Sequence, residues 1–328
     1  MRIRYAALSL PLAIAVLLSG CGKKAPAEEP DTAYDTMSVM ESVTESKSTE
    51  TTAQTQSAPE GQGTTDSSEV PPGEIPMDAL RSEPGRTALD KDGITVVEEG
   101  PVDSAMKGRG IALRFTNSND YPVRIYAPDI VANEFTTPET LGFIIRPNDE
   151  VTCSIFAYYG YLSTAGVKSV WQLRADVTAF NAETEDELWE QELVFETGDR
   201  GEGDDANTSV FGDLVYDGEE AAVYARFAED GDYWETGIVF TVLNKGDADL
   251  CIECEEAYAD GEYMPAMLNM TAKPGTFVMG DQPYSASALR ENDMDGFTEA
   301  SAVLGFCDSE GNVLGTTDMI TLKVPGSS

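Results

Sequence analysis

The sequence predicts an all-β protein whose main part is two tandem immunoglobulin-like β-sandwich domains. Apolar and polar residues alternate in short runs, which is the period of strands with one buried face. Turn-forming residues interrupt these runs about every 8–12 residues, as in sandwich folds. The pattern also occurs twice, at an offset of 127 residues that drops to 126 beyond Asn181. A repeated pattern of this kind indicates a tandem duplication of one domain.

The N-terminus has the pattern of a lipoprotein signal peptide. Arg2 and Arg4 precede an apolar run of about a dozen residues, which suits a signal-peptide core and is too short to span a bilayer. Residues 18–21, Leu-Ser-Gly-Cys, resemble the lipobox of bacterial lipoproteins. The resemblance implies removal of residues 1–20 and acylation of Cys21, with palmitate as an expected acyl group. We expect the lipid on Cys21 to hold the protein on the extracellular side of the cell membrane.

Residues 21–90 predict a disordered stalk. The segment is rich in Ser, Thr and Glu, has few large apolar residues and shows no period of a strand or a helix. Such a segment cannot bury enough apolar surface to offset the entropy lost on ordering.

The first predicted domain covers residues 91–198. Ile111, Leu113 and Phe115 alternate with polar or small residues, so they share one face of a strand. A turn at residues 117–120 follows, and residues 123–126 alternate again. Together these segments predict two antiparallel strands with one buried face.

The second predicted domain covers residues 213–326, after an acidic linker at 199–212. Residues 237–252 align with 110–125 without a gap, and Asn117 falls on Asn244. Each repeat predicts about seven short strands and no amphipathic helix. The Cys-Trp-Cys signature of antibody domains is absent from the sequence, so the prediction concerns architecture alone.

The lipobox, the stalk and the strand-Asn-turn-strand units around Asn117 and Asn244 together resemble one known group. It consists of Gram-positive surface lipoproteins with tandem immunoglobulin-like extracellular domains of unknown function. The resemblance covers nearly the whole chain and implies a surface binding or display module. It supplies no catalytic residues.

Composition narrows the classes of function. The formal net charge is −38, from 59 acidic and 21 basic residues, so we expect no nucleic-acid partner. The sequence contains no histidine, the commonest general base and metal ligand. We therefore expect no enzyme activity, no catalytic residues, no metal and no cofactor.

The cysteines offer a weak metal or redox motif. Cys251 and Cys254 form a C-x-x-C, but residues three apart on a strand point to opposite faces, with Cys254 inward. This disfavours zinc or redox chemistry. Whether Cys153, Cys251, Cys254 or Cys307 form a disulfide stays open, and the acidic loops have too few ligands to predict a calcium site.

Aromatic residues present in only one repeat are the candidate binding residues. The fold cannot require chemistry that one repeat lacks, and such rings suit protein or sugar recognition. The alternative is that they pack on a sheet edge or against the other domain. The candidates are Tyr158, Tyr159, Tyr161, Tyr233 and Trp234.

The leading functional prediction is a lipid-anchored, non-enzymatic binding or display module for an extracellular protein or glycan. One alternative is an accessory structural subunit of a membrane transport or cell-wall complex. A third is an extracellular hydrolase that uses two carboxylates about 5–10 Å apart in a cleft.

Overall fold

The structure is a computed structural model that describes residues 81–104, 107–200, 206–228 and 234–326. The predicted signal peptide, Cys21, most of the predicted stalk and Tyr233 lie outside the described residues. The described chain is mostly β-strand with very little helix, and its strands fall into two repeats, which we call the first repeat (residues 87–196) and the second repeat (residues 213–323).

The first repeat is a sandwich of two layers of antiparallel strands. One layer has the order β1-β2-β3-β8. In the other layer, β9 pairs with β4, β5 and β10, while β7 pairs with β4 and β6 with β5. The strands are β1 (Thr87–Lys91), β2 (Ile94–Ser104), β3 (Gly108–Asn117), β4 (Val123–Ala127), β5 (Ile130–Ala132), β6 (Phe135–Thr137), β7 (Leu141–Ile145), β8 (Asp149–Phe156), β9 (Gln172–Asn181) and β10 (Glu187–Glu196).

The second repeat has the same plan. One layer has the order β11-β12-β13-β17, and the other is built around the pair β14 and β18. The strands are β11 (Asp213–Asp217), β12 (Ala221–Ala228), β13 (Gly237–Asn244), β14 (Leu250–Ala259), β15 (Glu262–Met264), β16 (Asn269–Ala272), β17 (Phe277–Pro283), β18 (Glu299–Cys307), β19 (Val313–Thr316) and β20 (Ile320–Lys323).

The connectivity confirms the immunoglobulin-like class. In the first repeat, β3 pairs with β8 and β4 with β9, so strands distant in sequence become neighbours in the two layers. The second repeat reproduces both pairings with β13–β17 and β14–β18. These are the B–E and C–F pairings of the immunoglobulin sandwich, and the strand that follows F in the sequence pairs with F. The extra strand β1, or β11, precedes strand A.

Two features differ from the sequence predictions. Short helices α1 (Tyr159–Thr164) and α2 (Ala286–Glu291) occupy the same position in the two repeats, although no helix was expected. Each is only six residues long, which is too short for a helical period to appear in the sequence. In addition, β1 begins at Thr87, N-terminal to the predicted start of the domain at residue 91.

The cores show the predicted alternation at β3 and a different pattern at β13. Ile111, Leu113 and Phe115 are all buried, as predicted. Strand β13 is instead buried on both faces. One face packs in its own sandwich, while Val239 on the other face belongs to the core of the first repeat. A parallel contact between β6 and β17, at Phe135 and Phe277, joins the sheets of the two repeats.

Equivalent asparagines close each sandwich. Asn117 Nδ2 donates to the carbonyl oxygens of Tyr121 (2.9 Å), Arg146 (3.2 Å) and Ile145 (3.3 Å). Asn244 Nδ2 makes the matching bonds to the Ala248 and Ala272 carbonyls, at 2.8 and 2.9 Å. Each asparagine lies on one layer and reaches the end of a strand in the other layer. The paired asparagines of the sequence are therefore structural residues.

Candidate functional site

Of the predicted aromatic candidates that the structure describes, Tyr161 and Trp234 lie where the two repeats meet. Tyr158 precedes α1 with φ 56°, is half-buried and has Lys107 Nζ 5.5 Å from its ring centroid. Tyr159, Tyr161 and Trp234 are buried. Tyr233 lies outside the described residues. The binding role of these rings stays a prediction, and most of their surface is covered in this conformation.

Tyr161 joins the repeats through its ring and its hydroxyl group. Its ring contacts Trp234 edge-on, with the centroids 5.9 Å apart. Its hydroxyl donates to the Thr136 carbonyl at 2.9 Å and accepts from the Met279 backbone N–H at 2.6 Å. Residues that distinguish the two repeats in sequence therefore contact each other at the junction.

Two cavities adjoin this junction and share Asp129. One has a volume of about 210 Å³ and reaches Lys273, Arg174 and Glu192. The other has a volume of about 280 Å³ and is lined in part by Tyr161. Both are smaller than the roughly 300–1,000 Å³ of typical small-molecule sites.

Lys273 holds three carboxylates together beside these cavities. Its Nζ lies 3.0 Å from Asp249 and 3.6 Å from both Asp129 and Asp176. The side chains of Lys273 and Asp129 are only 13% and 16% exposed. Burial raises the pKa of Asp129, although the charge of Lys273 opposes that shift. Burial also works to lower the pKa of Lys273, but the hydrogen bond to Asp249 and the three carboxylate charges outweigh it and raise the pKa.

This cluster does not have the geometry of a glycosidase. Such an enzyme needs two carboxylates on either side of an open space that admits the glycosidic bond. Here Lys273 Nζ is within 4 Å of all three carboxylates, so the ammonium group occupies the space among them. The arrangement is that of an ion-pair network between the repeats.

A more accessible surface lies on the outer face of the second layer of the first repeat. Tyr126 on β4 is 46% exposed and Ile144 on β7 is 56% exposed. Arg124 stands opposite Ile144 on one side and opposite Phe180 on the other. Directly opposite residues share a face of the sheet. We call this surface the outer-face patch; its members are Arg124, Tyr126, Ile144, Thr178 and Phe180.

The outer-face patch is held in place by its own contacts. The Arg124 guanidinium lies 4.8 Å from the Phe180 ring centroid and 2.5 Å from the Glu185 carboxylate. Opposite Tyr126, Gly142 has no side chain to cover the ring, and a Cβ there would lie 3.8 Å from Tyr126 Cδ2. The patch therefore offers an ordered cation, an exposed phenol ring and an exposed aliphatic side chain on one face of the sheet.

The second repeat lacks this surface. The equivalent positions on β14, β16 and β18 pair in the same register, but they carry small, acidic or sulfur-containing side chains. They are Cys251, Glu253, Thr271, Gly305 and Cys307. Cys254 is buried and Cys251 is half-exposed, which confirms that the C-x-x-C residues point to opposite faces.

Sequence reasoning did not select the outer-face patch. The alternation of residues 123–126 placed Arg124 and Tyr126 on the outward face. A tyrosine at a position predicted to face solvent was therefore the one sequence feature that could have indicated this surface. Ile144 and Phe180 lie far from Tyr126 in the sequence, and only strand pairing brings them beside it.

Metal and membrane features are not found in the described ranges. No group of three or more His, Cys, Asp or Glu residues there is arranged to hold a metal ion. No helix in the described part of the chain combines the length and the apolar character needed to cross a membrane.

Comparisons with known proteins give only remote similarity. No protein-family model and no curated protein matches the chain. The Salmonella enterica SafA pilin in complex with the SafB chaperone matches at 12% identity, over 65% of this chain and 89% of that one, with a TM-score of 0.20. The Pseudomonas aeruginosa CupB2 chaperone matches at 13% identity, over 65% and 91%, with a TM-score of 0.18. A 1.5-MDa bacterial ice-binding adhesin matches at 12% identity, over 65% and 56%, also with a TM-score of 0.18.

Proposed function

We propose that the protein is a lipid-anchored surface module that binds an extracellular protein or glycan without catalysis, and that the outer-face patch is its binding surface. The observation that carries the proposal is the exposed pair Tyr126 and Ile144 beside the ordered Arg124. The lipobox at residues 18–21 supports the anchor and the extracellular location.

The chemistry of the outer-face patch is that of a recognition surface. Tyrosine and arginine dominate the residues that contribute most to protein–protein binding, because they bury a large area and also form polar contacts. Arg124 is already oriented by Phe180 and Glu185, so less conformational entropy is lost when it contacts a partner. The aliphatic side chain of Ile144 favours a protein partner, while the open Tyr126 ring also suits stacking of a sugar.

The duplication supplies a matched control for the test. The double variant Tyr126→Ala/Ile144→Ser removes the exposed part of the patch. Glu253→Ala/Thr271→Ser changes the equivalent positions of the second repeat. Both variants alter partly exposed outer-face positions, so both full-length chains are expected to fold.

The experiment compares the two variants with the unaltered chain on intact cells, by cross-linking and purification, and on a glycan array. We expect the Tyr126→Ala/Ile144→Ser variant to lose at least about tenfold in captured partner or bound glycan, as for loss of a dominant interface residue. The control variant should keep binding. Equal binding by all three chains, or no binding in either assay, would contradict the proposal.

The anchor is tested separately with Cys21→Ser. We expect this variant to lose labelling by palmitate and to appear in the culture medium, because a covalent lipid is needed to hold the chain at the membrane. Continued palmitate labelling of Cys21→Ser, or its retention at the membrane, would contradict the anchor while leaving the binding surface testable.

A further inference from the structure

One pair of side chains on the second repeat is placed for a covalent bond. Cys251 on β14 stands directly opposite Cys307 on β18, in an antiparallel ladder. Both are half-exposed, and the structure describes both as free thiols. Because directly opposite residues share a face, the two thiols lie on the same outer surface.

The spacing of such a pair suits a disulfide. Opposite residues of an antiparallel ladder have Cα atoms about 4.5 or 5.5 Å apart, within the roughly 4.4–6.8 Å that a disulfide spans. Their Cβ atoms need to approach by about 1 Å at most to reach disulfide geometry. The register itself therefore brings the two cysteines within reach of a disulfide, with only a small adjustment of the two strands.

The other two described cysteines have different surroundings. Cys153 is opposite Leu113, and Cys254 is opposite Leu304 on the inner face. Burial raises the pKa of the Cys153 thiol to about 12, and mainly burial raises that of Cys254 to about 11. Both are therefore almost entirely protonated and inert at neutral pH. A pairing of Cys254 with Cys307 is excluded by geometry, because the two side chains lie on opposite faces of the sheet.

We infer that Cys251 and Cys307 are a modification site at which an aliphatic disulfide, or a protein disulfide, installs a cross-strand bond between β14 and β18. The thiolate of one cysteine attacks the reagent RSSR, forms a mixed disulfide and releases RS⁻. The thiolate of the other cysteine attacks the protein sulfur of that mixed disulfide and releases a second RS⁻. Two protein thiols are oxidised and one RSSR is reduced to two RSH, so atoms and electrons balance.

The surroundings of the pair select among reagents. A shallow pocket of about 140 Å³ beside Cys307 is lined by Glu253 and Glu255. Burial, and after it the neighbouring Cys251, raise the pKa of Cys307, and the charges of Glu253 and Asp308 act in the same direction. These carboxylates repel an anionic reagent and attract a cationic one, in a manner that salt screens. Cystamine, a cationic disulfide, should therefore react faster than oxidised glutathione, which is anionic.

The test is to incubate the full chain with cystamine, alkylate the remaining thiols and map each cysteine by mass spectrometry. A protease specific for glutamate cuts after Glu253 and so separates Cys251 from Cys254. We expect Cys251 and Cys307 to disappear together as free thiols and to form a linked peptide lighter by two hydrogen atoms. Cys153 and Cys254 should stay reduced and become alkylated only after denaturation.

Two variants complete the test. Cys254→Ala should leave the linked peptide unchanged, while Cys251→Ser should abolish it and leave Cys307 as a mixed disulfide with cysteamine. The oxidised chain should also unfold at a higher urea concentration than the reduced chain, because the bond restricts the unfolded state. Persistent free thiols at both positions, a stable mixed disulfide on the unaltered chain, or linkage of Cys307 to another cysteine would overturn the inference. None of these results depends on the proposed binding function.

Discussion

The outer faces of the two repeats occupy the same positions of the same fold and carry different chemistry. In the first repeat, Arg124 lies over Phe180. In the second repeat, the same two positions are Cys251 and Cys307. The strand register and the positions of the turns are nevertheless the same in the two repeats. The comparison teaches that this fold fixes which residues are neighbours and leaves the chemistry of the outer face free to differ.

Polar side chains that bind backbone groups show the opposite behaviour. Asn117 and Asn244 make the same bonds to equivalent carbonyls. A second conserved geometry occurs at Asn133 and Asp260, where the side-chain oxygen accepts backbone N–H groups of the strand that follows the helix. This second pair differs in charge and in burial, since Asn133 is buried and Asp260 is exposed.

The largest effect should come from Asn117→Ala and Asn244→Ala. Each change removes a hydrogen bond to one buried carbonyl oxygen and at least one more to a partly buried carbonyl oxygen, and we expect a loss of about 3 kcal/mol in the free energy of unfolding, similar for both variants. Urea denaturation of the full chain measures it. Asp120→Ala, in the exposed turn beside Asn117, is the control and should change the stability by less than about 0.5 kcal/mol. A large difference between the two asparagines would show that the repeats are not equivalent inside.

A smaller effect is expected from Lys273→Met, compared with Arg146→Met at the equivalent position of the first repeat. Removing Lys273 leaves Asp129 partly buried without its cation, which should cost about 2 kcal/mol, below the cost for fully buried pairs. Arg146 is exposed, and its loss should have little effect on stability. Equal stability of the two variants, measured by urea denaturation at neutral pH, would show that the network at Lys273 contributes nothing to folding.

The smallest effect concerns pH and the pair Asn133 and Asp260. Burial acts to raise the pKa of Asp260, but hydrogen bonds from Thr298 and Glu299 outweigh it, so the pKa is lowered. Its stabilisation is complete above the ordinary aspartate pKa of about 3.9 and is lost as the pH falls through the lower pKa of the folded state. Asp260→Asn should therefore flatten the loss of stability below about pH 4, by less than about 1 kcal/mol because Asp260 is exposed.

The measurement for this pair is the urea midpoint between neutral and acid pH. Asn133→Asp should instead destabilise the first repeat at neutral pH, because Asn133 is buried and its Nδ2, which a carboxylate oxygen would replace, donates to the Ser169 carbonyl oxygen at 2.8 Å. If Asp260→Asn left the acid limb of the curve unchanged, the hydrogen bonds from Thr298 and Glu299 would not be the source of its lowered pKa.

Much of the fold could be predicted because its signals are local. The alternation at Ile111, Leu113 and Phe115 marked the buried face of β3, and the turn residues after Asn117 marked its end. The helices α1 and α2 could not be predicted, because one and a half turns are too short to display a period. The outer-face patch could not be assembled from sequence either, since Ile144 and Phe180 reach Tyr126 only through strand pairing.

The aromatic candidates show the limit most clearly. Comparing the repeats identified Tyr161 and Trp234 as residues that one repeat has and the other lacks. It left open whether such rings bind a partner or pack against the other domain. Only the tertiary structure placed Tyr161 against Trp234 and its hydroxyl on Met279.

By itself, the sequence determined the strand content, the duplication and the interior asparagines, because each depends on residues close together or on a fixed offset. The tertiary structure decided which sheet faces are covered. An alternating strand indicates that its two faces differ, but it does not state what lies against either face. Strand β13, for example, is buried on both faces, while the outer face of β4, with Tyr126, remains open to solvent.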